Sequence, residues 1–325
     1  MENMKHSKND LEYRITKEDE GHNIRQILKT RLFISVRLMK KIKYGDGTLT
    51  LNGEKVKTNE RALAGDILAV RFPGESSCFE PEDIALDIIF EDEDLLIVNK
   101  QAGLVVHPTK GHASGTLANG VMKHMLDAEH AYKIRFINRL DMDTTGVLVV
   151  GKNAYSQEDF IRQAAAGGVT KRYTAISTGI IGDDAGRIDL PIAKAVEDQV
   201  KRAVREDGFP SATRFRVLDR FGGEGGEGAG FTLLELELDT GRTHQIRVHL
   251  SHIGHPVVGD VLYGEAAPDL IGRQALHARE LAFRHPRTKE SLRFFADLPD
   301  DMTELLFKLY SKGDMKGQSE SQLNN

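Results

Sequence analysis

Three short stretches carry side chains that could do chemistry. The first is Arg139-Leu-Asp141-Met-Asp143-Thr-Thr-Gly146, directly before the apolar run Val147-Leu148-Val149-Val150. A carboxylate at the mouth of a buried strand either caps a turn or serves as a nucleophile or base. The second is Lys171-Arg-Tyr173-Thr-Ala175, whose phenol offers a flat stacking face and a proton. The third is Gly241-Arg-Thr-His-Gln-Ile-Arg247-Val-His-Leu250. Thr243 is expected to cap a helix with Ile246, Leu250 and Ile253 on its apolar face, ended by Gly254. Arg242 and Arg247 then lie near the helix N-terminus, where the macrodipole opposes positive charge. An arginine placed there needs an anion close by, either a carboxylate or a phosphate.

The surrounding elements follow from periodicity. Leu95-Leu-Ile-Val98 reads as a short apolar strand. Asn153 is a candidate cap for a helix to about Ala166, stopped by Gly167-Gly168. From Phe231 to Asp239, Leu234, Leu236 and Leu238 alternate with Glu235, Glu237 and Asp239, a strand with one wet face that favours antiparallel pairing. The glycine-rich GGEGGEGAG before it lacks the Lys-Ser/Thr ending of a phosphate loop, and its two glutamates would repel phosphate. It reads as a long hairpin loop.

Near the N-terminus, Ile24, Ile27, Leu28 and Leu32 recur at helical spacing. Ser35 is the expected cap of a second helix to about Tyr44, with Val36, Met39 and Ile42 inward. A hairpin about Asn52-Gly53 and a strand Ile67–Phe72 follow. The division expected is a flexible start (1–11), a small α+β unit (12–73), a linker rich in proline, serine and acids (74–83), a large α+β body (84–312) and a disordered tail (313–325).

Charge is segregated along the chain. The 325 residues carry a net charge of −5, yet residues 21–72 hold 11 Lys/Arg against 4 Asp/Glu. Arg25, Lys29, Arg31, Arg37, Lys40, Lys41 and Lys43 come without an intervening acid, whereas a merely solvated helix face normally carries both signs. A basic module on a less basic body suggests a polyanionic partner. No apolar run reaches the roughly 18 residues of a membrane span, and the first residues, MENMKHSKND, show no export signal. The single cysteine, Cys78, rules out an intrachain disulfide and fits a reducing, cytoplasmic setting.

Taken in order, these stretches resemble the pseudouridine synthases of the RluA family, over about residues 84–305. In that resemblance Asp141 matches the nucleophilic aspartate, Tyr173 the active-site tyrosine and Arg247 the partner of the aspartate. Gln274-Ala-Leu276-His-Ala278 matches a later motif whose leucine packs beneath the target base. Arg139 would fill the stack left by a flipped-out uridine, and Arg242 is expected on the substrate side. Asn138 and Met142 depart from the usual histidine and basic residue. Residues 12–73 resemble the S4 RNA-binding domain, and the combination looks like the RluC/RluD branch that acts on ribosomal RNA. The implied fold is α+β, a mainly antiparallel mixed sheet flanked by helices plus the small S4 unit. The implied activity is a cofactor-free isomerisation of uridine in structured RNA, with no metal, no nucleotide cofactor and no membrane, by a monomer. Arg25, Lys29, Arg37, Lys40 and Lys41 would grip phosphates. The chemistry agrees: the reaction breaks a C–N bond and makes a C–C bond to the same sugar, so nothing is oxidised and no group is donated.

Other readings make different demands. Asp141-Met-Asp143-Thr resembles the nucleophile motif of haloacid-dehalogenase phosphatases, with Gly182-Asp183-Asp184 as a metal pair, but there the apolar strand precedes the first aspartate. His244, His249, His252 and His255 invite a zinc site, without a cysteine or acid at ligand spacing. A transfer-RNA substrate, or an RNA-binding protein without catalysis, would use the same basic module.

Overall fold

The computed structural model describes residues 5–6, 10–195, 201–222 and 230–322, with side chains from 11 to 311. A small sheet in the order β1 (Asp10–Arg14), β4 (Ile67–Arg71), β2 (Thr48–Leu51), β3 (Glu54–Lys55) packs on α1 (Ile24–Thr30) and α2 (Val36–Tyr44). Asn23 caps α1 and Ser35 caps α2 through side-chain oxygens that accept from Gln26 and Leu38 amides. Asn52 and Gly53 both take positive φ at the hairpin. On α2 the buried residues are Leu38, Met39 and Ile42, whereas Val36 is exposed. Position 36 opens the helix on its outer side, so the stripe begins two residues later than expected.

The body holds a ten-stranded sheet. Its strands are β5 (Asp87–Glu91), β6 (Leu95–Lys100), β7 (Arg135–Phe136), β8 (Thr145–Gly151), β9 (Thr170–Thr178), β10 (Ala185–Asp189), β13 (Ala212–Phe221), β14 (Phe231–Leu238), β15 (Leu276–Arg284) and β16 (Ser291–Phe295). A separate ribbon pairs β11 (Ile192–Lys194) with β12 (Arg202–Val204). The main path runs β10–β13–β14–β9–β15–β8–β6–β5, with β16 on β15 and β7 on β8. Every pair is antiparallel except β8–β15. Helices α3 (Leu117–Asp127), α4 (Ala154–Ala165), α5 (Gln245–His252) and α6 (Asp300–Gln322) accompany it. The expected α+β class and mixed, mainly antiparallel sheet are what the fold has.

The sheet centre is apolar on both faces. On β6, Leu96 and Val98 join one core while Leu95 and Ile97 join the other, and β8 divides in the same way. This is period-2 alternation with both sides covered, so the strand reads as continuously apolar. On β14 the leucines enter the core, and Glu235 and Glu237 meet Arg216 and Arg172 across the strands, each at 3.0 Å.

The two units are docked rather than loosely joined. Tyr155 of α4 is buried in the core of the N-terminal unit, its ring stacked on Phe72 at 5.5 Å. Ser35 donates to Glu158, and the Arg162 guanidinium lies over the Phe33 ring. The stretch 74–83 has no regular structure but is pinned: Glu75 pairs with Lys41 and Arg135, and the buried Ser77 accepts from the Ile134 amide. Two further differences concern the ends. Lys5–His6 pairs with His130–Ala131 within the expected flexible start, and α6 continues to Gln322 past residue 313. Most of the glycine-rich loop lies outside the described residues.

Candidate active site

Asp141 lies in the turn before β8, where the Thr144 amide donates to its carbonyl. Two buried cations fix this turn through its backbone. Lys100, at the end of β6, donates from Nζ to the carbonyls of Met142, Gln101 and Leu104. Arg273 donates to the carbonyls of Asp143, Gln274 and Leu276, and its other edge pairs with Asp301 of α6. Burial pushes Lys100 down to about 7; Asp143 and Asp141 oppose that push and Arg273 reinforces it. Asn138 explains its own presence: its side chain donates to Val147 O and accepts from Val149 N, extending the ladder of β8.

Gly146 is required by close approach. It has φ +110° and sits opposite Ala278 in the parallel β8–β15 pair, where a Cβ would stand 2.2 Å from the Ala278 carbonyl oxygen. This tight joint brings Asp141 and Leu276 together. Thr145 reinforces it, bonding His277 Nδ1 at 2.8 Å while the other ring nitrogen reaches Ala296 O. Tyr173 sits where β9 and β15 slip by one residue, with Ala278 and Arg279 opposite it. Such irregularities re-aim side chains beside functional sites.

Arg247 links the two halves. Its Nη1 donates to Asp141 Oδ2 at 3.0 Å, and its Nε and Nη2 grip Asp260 at 2.6 and 2.8 Å. Burial disfavours the charge on Arg247, but Asp260 and then Asp141 outweigh it and hold its pKa above the ordinary value. Asp260 is fully buried and also accepts from the Leu262 and Tyr263 amides. The preceding Gly259 has φ +75°, and a Cβ there would meet the Arg273 carbonyl at 2.2 Å. The anion that Arg247 needs is thus two carboxylates.

A cleft gathers Arg139, Asp141, Tyr173, Arg242, Arg247 and Leu276, the six residues singled out in the body. Asp141 keeps about a fifth of its side chain exposed there, while Tyr173 is nearly buried. Burial, and secondarily the negative charge of Asp141, raises the Tyr173 pKa, so the phenol stays protonated at neutral pH. Arg139 and Arg242 are exposed, and the Arg242 guanidinium lies over the Phe209 ring.

Some local expectations fail. Thr243 does not cap α5; His244 does, at φ +58° and without a capping bond from its side chain, while Gln245 Oε1 accepts from the Arg242 amide. Ile253 is exposed at the helix end, and Val248 is buried instead. The four histidines do not converge: His249 bonds Thr213 and Leu190, His255 bonds Thr178, and no metal-binding group of three or more His, Cys, Asp or Glu occurs among the described residues. Asp184 is paired with Arg220. Arg25, Lys29, Arg37 and Lys40 are exposed on the N-terminal helices, away from the cleft lining, whereas Lys41 is spoken for by Glu75 and Arg31 by Asp19. Sequence reasoning missed Lys100, Asp260, Tyr263 and Arg273. Only Lys100 left a signal, as a lysine closing an otherwise apolar strand.

The family described as RNA pseudouridylate synthase matches residues 94–252. A Bacillus subtilis protein called uncharacterized RNA pseudouridine synthase YlyB is 43% identical over 272 residues, 82% of this chain and 88% of its own. The chain belongs to the RluA family of RNA pseudouridine synthases. Ribosomal large subunit pseudouridine synthase D of Yersinia pestis is 37% identical to this synthase over 276 residues, 80% of this chain and 82% of its own. Among solved structures, human RNA pseudouridylate synthase domain containing 1 is similar with a TM-score of 0.54 and 28% identity, over 68% of this synthase and 86% of that chain. No helix among the described residues is long and apolar enough to cross a membrane.

Proposed function

We propose that this synthase converts uridine to pseudouridine in large-subunit ribosomal RNA in the cytoplasm, with Asp141 as the catalytic carboxylate. The supporting observation is the placement of Asp141. One oxygen is held 3.0 Å from a buried arginine, and the carboxylate stays open to a cleft lined by Tyr173 and Leu276. A carboxylate so held can attack C1′ of the sugar or take the hydrogen at C2′, either of which releases the base for rotation. The released uracil rejoins the sugar through C5; the C5 proton leaves and N1 gains one, so the isomerisation balances without oxidant or donor. Tyr173 supplies a neutral face for the base, and Leu276 packs beneath it. A uridine inside a helix must first be flipped out, at a cost of a few kcal/mol. Arg139, exposed at the rim, fills the vacated stack, and Arg242 holds the flanking backbone.

The N-terminal unit serves as an S4-like RNA grip. Arg25, Lys29, Arg37 and Lys40 present an exposed basic face for phosphates. The ribosomal reading draws support from relatives whose names specify the large ribosomal subunit. The test is to incubate purified protein with large-subunit ribosomal RNA transcribed in vitro and map pseudouridine. New pseudouridine at defined uridines is expected. Its absence there, with modification of transfer RNA in parallel, would move the substrate; its absence in every RNA would end the reading.

A further inference from the structure

His244 is held in an unusual way. It begins α5 at φ +58°, a region few residues other than glycine adopt, yet its side chain does not cap the helix. Backbone held in such a region is over-determined by its surroundings and tends to cluster at functional sites. Here the ring is fixed by Tyr263. The Tyr263 hydroxyl lies 2.8 Å from His244 Nδ1, and its oxygen accepts from the Arg202 amide at 2.7 Å. With that oxygen accepting from the Arg202 amide, its hydrogen is available to Nδ1, and the tautomer that uses it carries the ring proton on Nε2. The ring is neutral: burial lowers its pKa, Arg247 and Arg202 push the same way, and Asp141 and Asp260 oppose them.

His244 Nε2 faces Asp141 Oδ1 at 3.8 Å. That is too long for a hydrogen bond, and Oδ2 of the same carboxylate is engaged by Arg247. The cleft therefore presents one donor and one acceptor with a gap between them. A hydroxyl oxygen about 2.8 Å from each would accept from Nε2–H and donate to Oδ1. Whether Asp141 acts at C1′ or at C2′, its free oxygen must come beside the carbon that bears the 2′-hydroxyl. We propose that His244 and Asp141 Oδ1 form a subsite for the ribose 2′-hydroxyl of the target uridine, with His244 as the donor. The inference rests on the uridine-isomerase reading above and deepens it. The 2′-hydroxyl is the group by which a protein tells RNA from DNA at a given nucleotide, so this pair would make the chemistry selective for ribose at the flipped residue.

The experiment uses a ribosomal RNA fragment containing the uridine mapped above, made with ribose or 2′-deoxyribose at that one position. Single-turnover rates are measured for the wild type, His244→Asn and Tyr263→Phe. Asparagine tolerates the left-handed backbone but is too short to reach the gap, so the helix start is kept. Competition between the two fragments for the same enzyme gives the affinity ratio where turnover is slow. The wild type is expected to prefer ribose by about tenfold or more, in line with one or two hydrogen bonds. In His244→Asn the preference falls to within about threefold on the same scale, and in Tyr263→Phe it falls part of the way. A His244→Asn enzyme that keeps the full wild-type preference, however slow, overturns the subsite, as does a wild type indifferent to the sugar. A wild type inactive on the ribose fragment overturns the uridine reading itself, and the subsite with it.

Discussion

Replacing Asp260 by asparagine tests the logic of the site at a residue that never meets the substrate. Asp260 is fully buried and holds Arg247 by two bonds, at 2.6 and 2.8 Å. Asparagine keeps the shape and can still accept from the Leu262 and Tyr263 amides. It loses the charge, and its NH2 then faces the Arg247 Nε–H, donor against donor. Arg247 is itself buried, so its remaining charge partner is the partly exposed Asp141. Breaking one side of a buried pair costs about 3–5 kcal/mol, of which the charge-assisted bond lost at Nε accounts for roughly 1.5–3 kcal/mol. Asp260→Asn should therefore lose about that much stability in denaturant unfolding followed by circular dichroism. It should also turn over about 10²-fold more slowly, as expected when a positioning group shifts by about an ångström. Adding Arg247→Met should recover part of the stability, because the orphaned charge is gone, and none of the activity. A stability loss below about 1 kcal/mol, typical of an exposed pair, with near-normal turnover, would refute this account of the site.

Four further outcomes are expected. Asp141→Asn should bind ribosomal RNA like the wild type and form no pseudouridine; turnover in a filter-binding-competent preparation would remove Asp141 from its role. Neutralising Arg37 and Lys40 should flatten the dependence of log affinity on log salt by roughly 0.7–0.9 per phosphate lost, whereas Lys41→Gln, already paired with Glu75, should disturb the seating of the N-terminal unit instead. Gly146→Ala should destabilise by at least about 1–3 kcal/mol from the backbone alone, with an added clash against Ala278, visible as a lowered melting temperature. Asp19 is buried; burial would raise its pKa, but bonds from Thr16, Arg31 and Tyr13 hold it below the ordinary 3.8. Its stabilising contribution is therefore full above that value and lost as pH falls below it. Asp19→Asn should show a shallower acid limb in a circular-dichroism titration.

What could be read from the sequence was whatever local pattern encodes. Ser35 and Asn153 announced helix starts because a short acceptor side chain before an apolar stripe satisfies orphan amides. The leucine alternation from 231 to 238 announced a half-covered strand. The six cleft residues were legible because the runs that hold them match, in order, the motifs of the family the sequence resembles. The failures are long-range. Nothing near Asp260 or Tyr263 hints that they close on an arginine more than a dozen positions earlier. Arg273 acts through backbone carbonyls, which no sequence pattern displays. Residues 74–83 look like a spacer by composition, yet their partners, Arg135 and the Ile134 amide, lie about 60 positions away. His244 attracted notice only as a metal ligand, because a left-handed backbone at a helix start cannot be inferred from the letter H.

Tyr155 belongs to a body helix but is interred among the side chains of the other unit. Truncating the chain before the acidic stretch would leave that ring, and the apolar flank of α4 around it, facing water. A synthase of this architecture that dispensed with its front module would have to carry something wettable at that place, or find another lodger for it. The residue at position 155 is thus a marker: from one letter in a related sequence, one can tell whether the front module is merely strung on or is a fixture against which the cleft is set.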